Sequence, residues 1–153
     1  QKYLQNIKDI IKYSKAAMFG SKEKEWKWCG KCPKCLFVYT ILSPYLYKDE
    51  LVDIFGKDLF EDKELLKTFI ELTGNGKTKP FECVGTFEEV NFAISMTISN
   101  LEKENKELPY LLRYYKDNFK LSDLTIDITK RFNNENNLTK EQSELLKEEI
   151  YND

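Results

Sequence analysis

Apolar residues recur along this chain at intervals of three and four, and the gaps between the recurring stretches carry residues that start and stop helices. Leu4, Ile7, Ile10, Ile11 and Met18 follow that period across Tyr3–Phe19 and predict a first helix, closed by Gly20 and the charged stretch Ser21–Glu25. Leu36 to Leu42 is a continuous apolar run, for which periodicity does not separate a buried strand from a buried helix. A helix is preferred, because a tight cysteine turn hands its last residue to a helix start, and Ser43-Pro44 ends the run. Leu51, Val52, Ile54 and Phe55 before Gly56 predict a short helix with a glycine stop. Leu65, Leu66, Phe69, Ile70 and Leu72 before Gly74 predict a longer one.

Gly74 to Gly85 lacks periodicity and reads as a loop or short strand. Thr86 with Glu89 forms a capping box, in which the hydroxyl accepts from an unpaired amide and the carboxylate reaches back. The helix that follows, through Val90, Ala93, Ile94, Ile98 and Leu101, is broad enough in apolar width to be the central one. Pro109 suits the first turn of a helix containing Leu111, Leu112, Tyr115 and Phe119. Tyr110, Tyr114, Tyr115 and Phe119 read as core side chains rather than a base-stacking platform. Ser122 to Phe132 reads as a short helix, and Thr139 with Gln142 starts a last one carrying Leu145, Leu146 and Ile150. The expected fold is mainly α, a compact multi-helix domain of about seven helices with a cysteine-rich knuckle and little or no sheet. Residues 1–153 read as a single domain, with a motif-bearing core over 1–101 and a helical tail over 102–153.

Composition narrows the function classes. The 153 residues are 41% hydrophobic and 14% aromatic, enough apolar surface to offset the entropy of ordering. With 24 basic against 26 acidic residues the net charge is -2, so the chain lacks the summed attraction that non-specific nucleic-acid or anionic-membrane binding requires. No apolar run approaches the length needed to cross a bilayer and no secretory pattern opens the chain, which points to the cytoplasm. The first residue is Gln1 rather than Met and helical period begins at once, so the expectation is a chain that starts inside a longer protein. Histidine is absent, which removes Ser-His triads, Cys-His dyads and HExxH zinc sites. Chemistry in this segment falls to Cys, Lys, Tyr, Asp and Glu.

The strongest local signal is Trp28-Cys29-Gly30-Lys31-Cys32-Pro33-Lys34-Cys35. Thiolates two residues apart can turn toward one metal while Gly30 relieves the backbone and Pro33 stiffens it. A structural zinc site wants four donors, and Cys83 is the remaining thiol. An iron–sulfur cluster also takes three close cysteines and a remote fourth, and reduced cysteines packed as small hydrophobes are the third option. Gly74-Asn75-Gly76-Lys77-Thr78 imitates a phosphate loop, but Glu71 stands where that motif needs its first glycine, so a Walker site is rejected. In Lys79-Pro80-Phe81-Glu82-Cys83-Val84-Gly85 a carboxylate adjoins a thiol just before a helix N-terminus, where the helix dipole favours a thiolate or an anion. A surface glutamate beside a buried cysteine is the bland alternative.

Three ordered blocks, Trp28 to Val38, Leu42-Ser43-Pro44 and Lys79 to Gly85, resemble the carboxy-terminal part of the bacterial UDP-N-acetylmuramoyl-L-alanyl-L-glutamate epimerases (MurL). That resemblance implies use of ATP and magnesium to invert the terminal L-glutamate of a peptidoglycan precursor, and a distant kinship with PP-loop ATP pyrophosphatases. The Ser-Gly-Gly-x-Asp-Ser nucleotide loop of that group does not occur here, so an upstream nucleotide-binding portion of the same protein would hold ATP and magnesium. Related deazaguanine synthases hold zinc with a similar triple-cysteine block and a fourth cysteine slightly upstream. The comparable position region here offers Ser14, which makes Cys83 the candidate fourth ligand. The resemblance implies Glu82 or Cys83 as acid/base groups and Lys31, Lys34 and Lys79 as holders of carboxylate or phosphate on a UDP-MurNAc-dipeptide substrate. The alternative from another class is a non-catalytic zinc-knuckle interaction module of a larger protein, with neither nucleic acid nor membrane as partner.

Overall fold

In a computed structural model, which describes residues 28–78, 85–125, 132 and 136–151, Pro33 sets the start of helix α1 (Pro33–Leu42). Its fixed φ suits the first helical position, and Cys32 in extended conformation forms the N-cap. The apolar run is therefore helical, and the helix begins three residues earlier than its apolar stretch, inside the knuckle. Cys35, Leu36, Tyr39 and Thr40 are buried, and α1 is apolar on nearly every side. β-Branched residues do not turn this run into a strand, because helices pack against α1 and burial outweighs propensity. Thr40 Oγ1 donates to the Leu36 carbonyl at 2.8 Å, which keeps a buried hydroxyl satisfied.

Helix α2 (Lys48–Phe55) begins where the Tyr47 amide donates to Glu50 Oε2 at 2.9 Å, and ends where Gly56 returns its amide to Val52 at 2.8 Å. Leu51, Ile54 and Phe55 form its buried stripe. Two single turns of 3₁₀ helix follow, Leu59–Glu61 and Lys63–Leu65, each capped by an aspartate that accepts from an amide two residues on. The second runs into α3 (Leu66–Leu72), which holds the residues expected to form a helix except Leu65, the last residue of the tight turn. Helix α4 (Phe87–Lys103) starts with the capping box expected: the Glu89 amide donates to Thr86 Oγ1 at 3.2 Å and the Thr86 amide to Glu89 Oε2 at 2.6 Å. Val90, Ala93, Ile94, Ser95, Thr97 and Ile98 are buried along it.

Helix α5 (Tyr110–Asn118) has Pro109 at its N-cap rather than in its first turn, and Leu111, Leu112 and Tyr115 are buried. The packed core takes in α5. Seven rings form a chain through it, Trp28, Phe55, Tyr39, Phe60, Phe69, Tyr115 and Phe119, with successive centroids 4.9 to 6.2 Å apart. Polar ties cross the same interior: Ser43 Oγ and Thr97 Oγ1 stand 2.6 Å apart, and Tyr115 donates to Asn91 Oδ1 at 2.9 Å. The molecule divides between Ser122 and Asp123 into two compact units. In the second, α6 (Lys140–Tyr151) is capped by Thr139 and Gln142, and Lys147 Nζ lies 4.7 Å from the centre of the Phe132 ring.

Among the described residues there are six α-helices and no strand, as a mainly α domain requires. Residues 122–125 are not helical, and 126–131 of the helix expected there, like the whole of Tyr3–Phe19, lie outside the described residues. No helix among the described residues is long and apolar enough to cross a membrane.

Candidate metal centre

Three residues before α1 the chain folds back on itself at Gly30, whose φ of +61° is a left-handed conformation that other residues adopt at a cost. A side chain there would also crowd Lys57 Cε at 3.3 Å and the Phe55 carbonyl at 3.4 Å. The knuckle thus sits against the end of α2, with Trp28 stacked on Phe55 at 5.0 Å. This fold brings the three thiols together. Cys29 Sγ and Cys32 Sγ each stand 3.4 Å from Cys35 Sγ, and all three sulfurs lie within 4.8 Å of one another. Cys29 is exposed, Cys32 half-buried and Cys35 fully buried, so the cluster closes on its inner side and opens at Cys29.

The thiols differ in acidity for reasons visible in that geometry. Burial pushes Cys35 up to about 12, and contact with the Cys29 and Cys32 thiols adds to the effect. Burial also acts to raise Cys29, but hydrogen bonds from the Lys31 amide, from the two other thiols and from the Cys32 amide outweigh it and bring the group below its ordinary value. Proton loss therefore starts at the rim and is hardest at the floor. A divalent cation held by all three would remove that difference, because a coordinated thiol gives up its proton outright.

Of the other residues read from the sequence, Lys31 is exposed on the knuckle, where its charge helps to hold the Asp62 carboxyl below the usual carboxylate range. Lys34 is half-buried in the first turn of α1. Lys79, Glu82 and Cys83 lie outside the described residues. Gly85, two positions after Cys83, is described: a Cβ built on it would stand 2.8 Å from Phe37 Cε2 and Cζ, so its backbone lies directly against the ring of a residue on α1.

Sequence reasoning missed a cleft at the opposite end of α1, about 15 Å along the axis from the cysteines. It encloses about 1290 Å³ between Ser43–Leu51, Asp58–Glu61 and the end of α4 with the segment that follows it. Its floor is the buried Ser43–Thr97 pair, and Tyr45 and Tyr47 stand half or more exposed at its mouth. A signal was present, since Tyr45 and Tyr47 flank a single residue directly after Pro44, but periodicity does not tell which stretches meet them.

Comparison with known proteins places this geometry in context. The model of the MurL C-terminal domain matches residues 13–122. A UDP-N-acetyl-alpha-D-muramoyl-L-alanyl-L-glutamate epimerase of Micromonospora sp. is 39% identical over 88 residues, covering 58% of this chain and 20% of that protein. The enzyme of the same name from Salinispora tropica is 39% identical over 88 residues, 58% of this chain and 19% of its own length. That from Xanthomonas oryzae pv. oryzae is 35% identical over 102 residues, 66% of this chain and 23% of its own. The chain therefore spans about a fifth of the length of these relatives. No solved structure matches.

Proposed function

Because the chain belongs to the family of MurL C-terminal domains, we propose that it supplies the carboxy-terminal part of a cytoplasmic enzyme that inverts the terminal L-glutamate of UDP-MurNAc-L-Ala-L-Glu in peptidoglycan precursor synthesis. In this reading the knuckle is a structural zinc site formed by Cys29, Cys32, Cys35 and Cys83, and a nucleotide-binding portion of the same protein holds ATP and magnesium. The observation that carries it is the gathering of three sulfurs within 4.8 Å, inside the stretch that matches the family.

Zinc suits the donor set. Four thiolates at about 2.3 Å from one ion stand about 3.8 Å apart, close to the 3.4 Å separations found, so small shifts suffice. A [4Fe–4S] cluster gives each cysteine its own iron and splays the sulfurs farther than this turn holds them, and a [2Fe–2S] cluster seats only two cysteines on one iron, whereas three gather here. Support for Cys83 as fourth donor comes from Gly85 against Phe37, which returns the chain, two residues after Cys83, to the helix that carries Cys35. When bound, the ion supplies a cross-link between the two stretches rather than a reaction step, as the full burial of Cys35 favours.

The chemistry then rests on the remaining groups. Converting the glutamate α-carboxylate to a mixed anhydride removes its negative charge and acidifies the α-proton, so one group can take that proton and a second can return one on the other face. Glu82 serves as an acid/base group if Cys83 is bound to metal, and Cys83 serves only if it is not. Lys31, exposed beside the knuckle, and Lys34 and Lys79 hold carboxylate or phosphate oxygens. The second reading, a non-catalytic zinc-knuckle module, draws on the same burial of Cys35.

The test combines this chain with the upstream nucleotide-binding portion, ATP, magnesium and the muramoyl dipeptide, and follows glutamate configuration by chiral chromatography. Inversion is expected, and its absence with both parts folded overturns the epimerase reading. Elemental analysis should find one zinc per chain, lost in Cys83→Ser; a folded, zinc-loaded but inactive Cys83→Ser protein would instead assign Cys83 to proton transfer.

A further inference from the structure

We propose that the cleft at the far end of α1 receives an extended, lysine- or arginine-bearing segment of a protein partner. This goes beyond the epimerase reading and does not rest on it. The first ground is size: about 1290 Å³ exceeds the range of roughly 300–1,000 Å³ usual for small-molecule sites, so a free diamine would leave most of it empty. A peptide of several residues fits better.

Charge selects the kind of peptide. Six carboxylates face the cleft against two ammonium groups, those of Lys48 and Lys106. Both lysines are already held by carboxylates, Lys48 by Asp58 at 2.9 Å and Lys106 by Glu104 at 2.6 Å. Each keeps its proton more firmly than usual, first through that hydrogen bond and then through surrounding negative charge, to which Asp49 contributes in both cases. Glu107 is paired in turn with Arg113 at 3.1 Å, so six carboxylates stand against three cations and the cleft keeps an excess of negative charge. It excludes nucleotides and diphosphates and favours cations.

The cleft also shows how it would hold one. Lys106 Nζ lies 5.8 Å from the centre of the Tyr47 ring while paired with Glu104, an ammonium set between an aromatic face and a carboxylate. Tyr47 is 69% exposed and Tyr45 50%, so ring surface remains for incoming cations. Pro44 and Leu101 along the wall suit the methylene stems of such side chains.

Isothermal titration of the full 153-residue chain with a blocked Lys-Ala-Lys-Ala-Lys peptide, its Glu-for-Lys counterpart and cadaverine tests this at low and at physiological ionic strength. Saturable binding of the lysine peptide alone is expected, weakening as salt rises. Both Asp49→Asn/Glu104→Gln and Tyr47→Ala should bind it roughly threefold to tenfold less tightly, as the loss of exposed charge pairs and a cation–π contact implies. All three positions are exposed, so thermal melts by circular dichroism should match the parent. Equal binding of the glutamate peptide, no saturation with the lysine peptide, or variants that bind like the parent overturns the proposal. Cadaverine binding as tightly as the peptide overturns the assignment to a protein partner in favour of a small amine.

Discussion

Replacing Gly85 by alanine probes the link between the segment that carries Cys83 and the cysteine-bearing helix. The new Cβ would sit 2.8 Å from Phe37 Cε2 and Cζ and 2.8 Å from Glu89 Oε2, well inside contact distance. Neither neighbour moves freely. Glu89 Oε2 accepts from the Thr86 amide at 2.6 Å and from Thr86 Oγ1 at 2.9 Å, and Phe37 packs against the core. Either the capping box opens, at about 0.5–2 kcal/mol, or the ring is displaced, at about 1–3 kcal/mol for overpacking. The expected loss is about 1–2 kcal/mol. With a urea slope of about 2 kcal/mol/M, the unfolding midpoint by far-UV circular dichroism should fall by about 0.5–1 M. Zinc affinity, measured by competition with a chromogenic chelator, should fall as well, because the same shift moves residue 85 away from α1. An alanine variant with parental midpoint and parental zinc affinity would refute the wedge and, with it, the argument from Gly85 to Cys83.

Three further outcomes are expected. Tyr39→Phe removes the hydroxyl that donates to Asp58 Oδ1 at 2.9 Å and should cost about 1–2 kcal/mol in urea unfolding, since one partner is charged; no change would show that Lys48 and the Phe60 amide satisfy Asp58 alone. The hydrogen bond from Lys57 holds the Asp62 carboxyl below the usual range, so Asp62 contributes stability that is present above about pH 4 and lost as pH falls through its folded value; Asp62→Asn should lower stability at neutral pH and flatten the acid limb, and parallel curves would exclude this role. A chelator should lower the thermal midpoint of the zinc-loaded, reduced parent and leave that of Cys35→Ser unmoved, whereas equal responses would mean that Cys35 holds no metal.

The helices were legible wherever local chemistry sets them. Thr86 with Glu89 and Thr139 with Gln142 mark helix starts, and Gly56 and Gly74 stand just past helix ends, because unpaired end amides and carbonyls must be met by nearby groups whatever the rest of the chain does. The run Leu36 to Leu42 was ambiguous for the converse reason: a segment buried on most sides has no polar face to reveal its period. Leu65 closes the second of two short turns rather than opening α3, because Asp58 and Asp62 each capture an amide two residues ahead.

The amino-acid order by itself determined the mainly α character, the cysteine turn and the absence of imidazole chemistry, since each depends on residues within a few positions of one another or on composition. Tertiary structure alone decided that Gly85 lies against Phe37 and that an acidic, tyrosine-rimmed cleft opens at the far end of α1. Those features join stretches far apart in the chain, such as Ser43 with Thr97, 54 positions away. Hydrophobic period states which face of a helix is buried and leaves open which other helix buries it; that choice is made by side-chain packing among all the helices at once.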